Sequence, residues 1–191
     1  MTALVVEGDY EMSRGLYDKA AEQGIVSAFV GLGHLYENGL GVAADKHAAR
    51  SWYMRGAERG HAASQYQLGR VLYDASSLQT TVDALRWIEL AAYQRHAEAQ
   101  NTAAWILATS KFDAVRDGAR ALVYAELAVA QLENASTLDT LAAAYAEIGD
   151  YDRARVTQTS AIGRIDELPP GQHGALFQHR IHYESDQPWR E

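Results

Sequence analysis

The chain has 191 residues, 48% of them apolar and 22% charged, with no cysteine and a formal net charge of −8. That length suits one domain or a short row of stacked units, and that apolar share excludes a mainly disordered chain. The lack of thiols excludes disulfides, thiolate catalysis, iron–sulfur clusters and cysteine-based zinc sites, and the acidic balance argues against nucleic acid and anionic membrane as partners.

Alanine occurs 34 times, and the three prolines, Pro169, Pro170 and Pro188, all lie late in the chain. Alanine gives up no side-chain entropy in a helix and proline breaks one, so the chain reads as all-helical. The predicted helices are, in order, 8–23, 26–38, 45–59, 61–74, 81–95, 97–109, 117–132, 136–148, 151–164 and 172–184. Gly24 and Gly60 stand where helix-ending glycines belong, Asn38-Gly39-Leu40-Gly41 is a turn, and Asp45 is placed to cap the third helix. Gly149-Asp150 repeats that logic late in the chain. In the last helix Leu176, Phe177, Ile181 and Tyr183 are expected to cover the preceding hairpin. The first cationic side chain is Arg14, residues 1–10 lack the order of a secretory signal, and no apolar run reaches the roughly 20 residues of a membrane span. A cytoplasmic setting is the expectation.

Two interleaved frames recur. Leu32-Gly33-x-x-Tyr36, Leu68-Gly69-x-x-Leu72, Ala103-Ala104-x-x-Leu107 and Leu141-Ala142-x-x-Tyr145 form the first, with steps of 36, 35 and 38 residues between the small positions. The second runs through Ala49-x-x-Trp52-x-x-x-Gly56, Ala84-x-x-Trp87-x-x-x-Ala91, Ala121-x-x-Tyr124-x-x-x-Ala128 and Ala154-x-x-Thr157-x-x-x-Ala161. Residues three, four and seven apart share a helical face, so each frame marks a buried stripe in which a small residue lets two axes approach. Paired helices that cannot bury both faces alone bury them by stacking, which predicts a solenoid.

The run Ala28-x-x-x-Leu32-Gly33-x-Leu35-Tyr36-x-x-Gly39-Leu40-Gly41, followed by Asp45, Trp52-Tyr53 and Glu58-x-Gly60-His61, resembles a Sel-one-like repeat, the tetratricopeptide variant with a longer inter-helix loop. Ala91-Ala92-Tyr93-Gln94-Arg95-His96 is similar to the junction between such repeats, with Arg95 where glycine is expected. From Leu138 onward, Leu141-Ala142, Tyr145, Gly149, Tyr151, Ala154 and Ala161 resemble an ordinary tetratricopeptide repeat, with Gln158 where an apolar residue is usual. The segment Tyr183 to Glu191 resembles the closing segment that often follows such repeats. The resemblance implies a right-handed α-α superhelix of about four hairpins plus a capping helix. It divides one domain, 1–191, into a first helix (8–23), repeats at 26–59, 61–95, 97–132 and 136–164, and a cap at 165–191.

The resemblance also implies a concave groove lined by the first helix of each hairpin. Its groove positions fall on Val30, His34, Glu37 and Asn38; on Tyr66, Gln67, Arg70, Tyr73 and Asp74; on Glu98, Asn101, Thr102 and Trp105; and on Asp139, Thr140 and Glu147. Tyrosine, tryptophan and arginine are the residue types enriched at interface hot spots. The competing reading of Trp105, Tyr66 and Tyr73 is packing against the neighbouring hairpin.

Other constellations carry less. His173, His179 and His182 cluster late in the chain, but no spacing completes a three- or four-ligand zinc site, and solvated histidines on a capping helix are the expectation. Gly31-Leu32-Gly33 and Gly39-Leu40-Gly41 neither follow a strand nor precede a Gly-Lys-Ser/Thr run, so they do not predict a phosphate loop. No cofactor is expected. The sequence thus predicts a non-catalytic scaffold or adaptor that binds a protein or peptide through its concave face. Two alternatives are a bacterial immunity or effector-adaptor protein, whose acidic surface would cover a basic toxin, and a metal-dependent enzyme built on the late histidines.

Overall fold

A computed structural model describes residues 2–191, with side chains from Asp9 onward, and among these residues there is no strand. The helices are α1 (Thr2–Glu22), α2 (Ser27–Asn38), α3 (Lys46–Ala57), α4 (Ala62–Leu72), α5 (Leu78–Tyr93), α6 (Ala97–Thr109), α7 (Gly118–Gln131), α8 (Ala135–Glu147), α9 (Tyr151–Ile162) and α10 (His173–Glu184). Two 3₁₀ turns, Ile165–Glu167 and Pro170–Gln172, precede α10. The fold is an all-α solenoid, as the repeat frames predict. No helix among the described residues is long and apolar enough to cross a membrane.

Side-chain caps set most of the helix starts. The Asp45 carboxylate accepts from the backbone N–H groups of His47 and Ala48 at 2.8 and 3.0 Å, and Asp117 and Asp150 cap α7 and α9 in the same way. Asn134 and Thr137 form a reciprocal capping box at α8. α5 starts at Leu78, earlier than its predicted start at position 81. Ser77 is the cap, and the hydroxyls of Thr80 and Thr81 bond back to the carbonyls of Asp74 and Ser77, so these β-branched residues reinforce the first turn.

The helix ends reuse one motif. Gly24 and Gly60 are left-handed at φ +78° and +79°, and the N–H groups around each bond back to the last helical carbonyls. Arg95 takes the same place at φ +65°, with its own N–H on the Ala92 carbonyl at 2.9 Å and that of His96 on the Ala91 carbonyl at 3.3 Å. The hydrogen bonds are those of the glycine version, held at a cost of about 1 kcal/mol for a residue with a Cβ. Arg95→Gly is therefore expected to stabilise the protein by about 1 kcal/mol, read as a rise in the urea midpoint at unchanged m.

Backbone contacts divide the chain into two compact units, residues 1–72 and 73–191. In the first, α1 packs on α2, α2 on α3 and α3 on α4, and α2 also touches α4. Its core joins Ala21, Ala28, Phe29 and Leu32 to Trp52, which stacks on Phe29 at 6.0 Å. A Cβ at Gly33 would overlap the fully buried Tyr53 ring, and one at Gly41 would come within 2.8 Å of the α1 backbone at Tyr10 and Glu11. In the second unit α5 to α10 pack in succession, α6 also touches α8, and α8 touches α10. The small positions there, Ala84, Ala91, Ala99, Ala103, Ala104, Ala121, Ala128, Ala142, Ala154 and Ala161, are all fully buried. Alternation brings α6, α8 and α10 side by side on one face of this unit.

Candidate functional site

In the unit of residues 1–72, Val30, His34 and Gln67 line a hollow of about 420 Å³ between α1, α2 and α4. Glu37 accepts from the Tyr53 hydroxyl at 2.7 Å and pairs with Arg70. The Arg70 Nε also donates to Gln67 at 2.8 Å. Asn38 is turned onto its own helix, donating to the His34 carbonyl, and Tyr66 is half-buried.

Burial raises the Glu37 carboxyl, but the Tyr53 hydroxyl and the Arg70 guanidinium outweigh it and hold its pKa below the ordinary 4.5. A carboxyl whose folded pKa is depressed stabilises the fold fully above its unfolded pKa and loses that contribution as pH falls through the folded one. Glu37→Gln is expected to lower stability at neutral pH and to flatten its decline below about pH 4.5. Urea unfolding at a series of pH values checks the sign.

In the unit of residues 73–191 more of the predicted residues converge. α6 supplies Asn101, Thr102 and Trp105, α8 supplies Ser136, Asp139 and Thr140, and α10 supplies Ala175, Leu176 and His179. Together with Trp189 and Glu191 they line a cleft of about 550 Å³. Glu98 is exposed on the first turn of α6 and is not among these lining residues. Asp74 ends in a turn instead, accepting from the Ser76 N–H at 2.8 Å. Glu147 forms ion pairs with Arg116 and Arg190 at 3.2 and 2.7 Å.

The base of the cleft is a buried polar network. Asp139 Oδ1 accepts from His179 Nδ1 at 2.8 Å and from Gln158 Nε2 at 2.7 Å, and Gln158 Nε2 also reaches the Leu176 carbonyl at 2.9 Å. Gln158, the departure from the usual apolar residue, is fully buried and joins α9 to α8 and α10. His179 is 3% exposed, so it is not a solvated histidine. Its ring lies 5.4 Å from Trp105 and 4.7 Å from Trp189. His173 and His182 bond separately to the Leu168 and Gln178 carbonyls, and no group of three metal-ligating side chains comes together among the described residues. On α10, Leu176 and Tyr183 are buried as expected, whereas Phe177 and Ile181 are 46% and 53% exposed.

What the sequence did not anticipate is where residues 185–191 go. Asp186, at φ +53°, reverses the chain after α10, and Arg155 donates to the Tyr183 carbonyl and to Asp186 at 3.0 and 2.8 Å. The Glu191 N–H reaches the Thr109 carbonyl at 2.9 Å. The Glu191 carboxylate accepts from the Trp105 indole N–H at 2.7 Å and from the Tyr73 hydroxyl at 2.8 Å. Burial and then the Glu191 carboxylate push the Tyr73 phenol up, so it remains a donor across the physiological range.

The sequence profile of the Sel1 repeat family matches residues 4–25, 28–61 and 62–96. No curated protein matches the chain. Among solved structures, a Sel1 repeat protein from Oxalobacter formigenes is similar at 21% identity and a TM-score of 0.62, covering 88% of this chain and 77% of its own. A protective antigen present in uropathogenic Escherichia coli strains, which displays an SLR fold, is similar at 18% identity and a TM-score of 0.65. That match covers 95% of this chain and 46% of the antigen. The Sel1 repeat profile thus matches three segments of the first half, and the chain shares the fold of SLR proteins along nearly all of its length.

Proposed function

We propose that the protein is a non-catalytic scaffold that binds a segment of another protein on the face formed by α6, α8 and α10. Sel1 repeat proteins are generally protein-interaction scaffolds. The observation that carries the reading to this face is the cleft of about 550 Å³ in which Asn101, Trp105, Asp139 and Thr140 meet. Trp105 gives it a large ring of few torsions with a polar edge, the type of side chain that anchors interfaces. In this reading the first repeats are of the Sel1 kind and α8–α9 form an ordinary tetratricopeptide hairpin. The chain acts as one domain in the cytoplasm. Adaptor and immunity roles are two cellular forms of the same activity, told apart by whether the chain rescues cells from an effector encoded beside it.

Affinity purification from cells of the source organism, quantified against Trp105→Ala, tests the proposal. The expected result is a specific protein retained by the wild-type chain and weakened about 30-fold or more by the substitution, as a hot-spot change of about 2 kcal/mol requires. Recovery of the same proteins in the same amounts by both would overturn it.

A further inference from the structure

Trp189 and Glu191 form part of the wall of the cleft, and the way they are seated there specifies a ligand. The Trp189 ring lies 4.7 Å from the His179 ring and edge-on to His182 at 5.0 Å. Two residues on, both oxygens of the Glu191 carboxylate are taken by neutral donors, Trp105 Nε1 and Tyr73 Oη. The Arg190 side chain between them points elsewhere, to Glu147 and the Ala108 carbonyl. An aromatic slot and a two-donor carboxylate seat are thus set two positions apart along one irregular segment of chain.

The seat reads a carboxylate without a cation. Both donors are rigid and neither changes protonation at physiological pH, so they recognise the acceptor geometry of a carboxylate. A lysine or arginine side chain offers only donors and is rejected.

The occupying segment is held chiefly through side chains, by the ion pair of Arg190 with Glu147, the ring contacts of Trp189 and the two bonds to Glu191. Its backbone makes a single hydrogen bond to the helices, Glu191 N–H to Thr109, and Glu191 remains exposed. A segment with so little backbone hydrogen bonding opens locally, at less than the global unfolding free energy. Thr102, Ser136 and Thr140 also line the cleft, so a longer ligand gains contacts that residues 189–191 do not make.

We propose that this cleft recognises an extended partner segment with an aromatic residue two positions before a glutamate or aspartate, and that Trp189-Arg190-Glu191 occupies it as an internal mimic which such a segment displaces. The proposal rests on the reading of the α6, α8 and α10 face as the partner-binding face and names the chemistry of what binds there.

The test uses a fluorescent peptide, capped at both ends, with the sequence of residues 183–191, added in trans to the full chain and followed by anisotropy. Glu191→Ala and Trp189→Ala are expected to open the cleft and raise peptide affinity at least tenfold over wild type. Replacing the peptide's own glutamate by glutamine is expected to lower affinity for both opened variants about tenfold, as is Tyr73→Phe combined with Glu191→Ala. Glu191→Ala removes two surface hydrogen bonds and no buried apolar contact, so it keeps the test valid should Trp189→Ala unfold. Equal binding to wild type and to Glu191→Ala, no binding to a folded Glu191→Ala chain, or indifference to the peptide's glutamate would each overturn the proposal. If a protein partner is retained through Trp105 while the peptide fails, the scaffold reading stands and only this chemistry falls. If the peptide binds as expected while no partner is retained, the reverse holds.

Discussion

Tyr53→Ala is expected to destabilise the protein by about 4 kcal/mol, the most of any single change considered. The ring is fully buried between α2 and α3, and its hydroxyl donates to Glu37 at 2.7 Å. Truncation leaves a ring-sized cavity and removes one of the two donors that hold the Glu37 carboxylate. Tyr53→Phe separates the two, with an expected loss of about 1.5 kcal/mol for a hydrogen bond to a charged acceptor. Gly33 completes the cycle, because a Cβ there would overlap the same ring. Gly33→Ala alone is expected to cost about 2 kcal/mol through overpacking, whereas in the Tyr53→Ala background it is expected to be neutral or to stabilise by up to about 1 kcal/mol from helix propensity. A double-mutant cycle by urea unfolding checks this, and its coupling energy reads the small-against-large packing that the repeat frame encodes.

Asp139→Ala is the second large effect, expected at about 3 kcal/mol. The carboxylate is the common acceptor for His179 and Gln158, which are 3% and 0% exposed, and its loss leaves both donors unsatisfied in the core apart from the bond from Gln158 to Leu176. Asp139→Asn retains one acceptor oxygen at the same place and is expected to lose about 1 kcal/mol. The network links α8, α9 and α10, so the damage is expected in the protection of α10 first. Hydrogen exchange that shows α10 and α8 unprotected while α6 and α7 keep wild-type protection is the expected pattern.

The fold was legible because a solenoid places neighbours at one fixed sequence separation. The frame from Gly33 through Gly69, Ala104 and Ala142 states which faces meet, and the capping role of Asp45 and the turn glycines Gly24, Gly60 and Gly149 follow from chemistry confined to a few residues. Arg95 was visible as an irregular residue at a regular place, and the structure keeps the backbone of the glycine it replaces. Gln158 was visible in the same way, but the network it joins was not, since Asp139 and His179 stand 40 residues apart on non-consecutive helices. Reading α10 by its apolar residues put Phe177 and Ile181 in the core along with Leu176, because a last helix has no following repeat to say which of its faces is covered.

Of the site, the positions on α6 and α8 were legible from the repeat, and Asn101, Trp105, Asp139 and Thr140 do share one cleft. The return of residues 185–191 was not. The contacts of Glu191 with Tyr73 and Trp105 span 118 and 86 residues and belong to no period. They depend on the reversal at Asp186 and on Arg155, features that only the assembled helices bring together.

Site-specific photo-crosslinking in cells of the source organism tests the central claim, that the α6, α8 and α10 face is the binding face. A photoreactive residue at Thr102, inside the cleft, is expected to give a discrete protein adduct that the same residue at Val156, 69% exposed on α9, does not give. Identical adducts from both positions, or an adduct from Val156 alone, would contradict it.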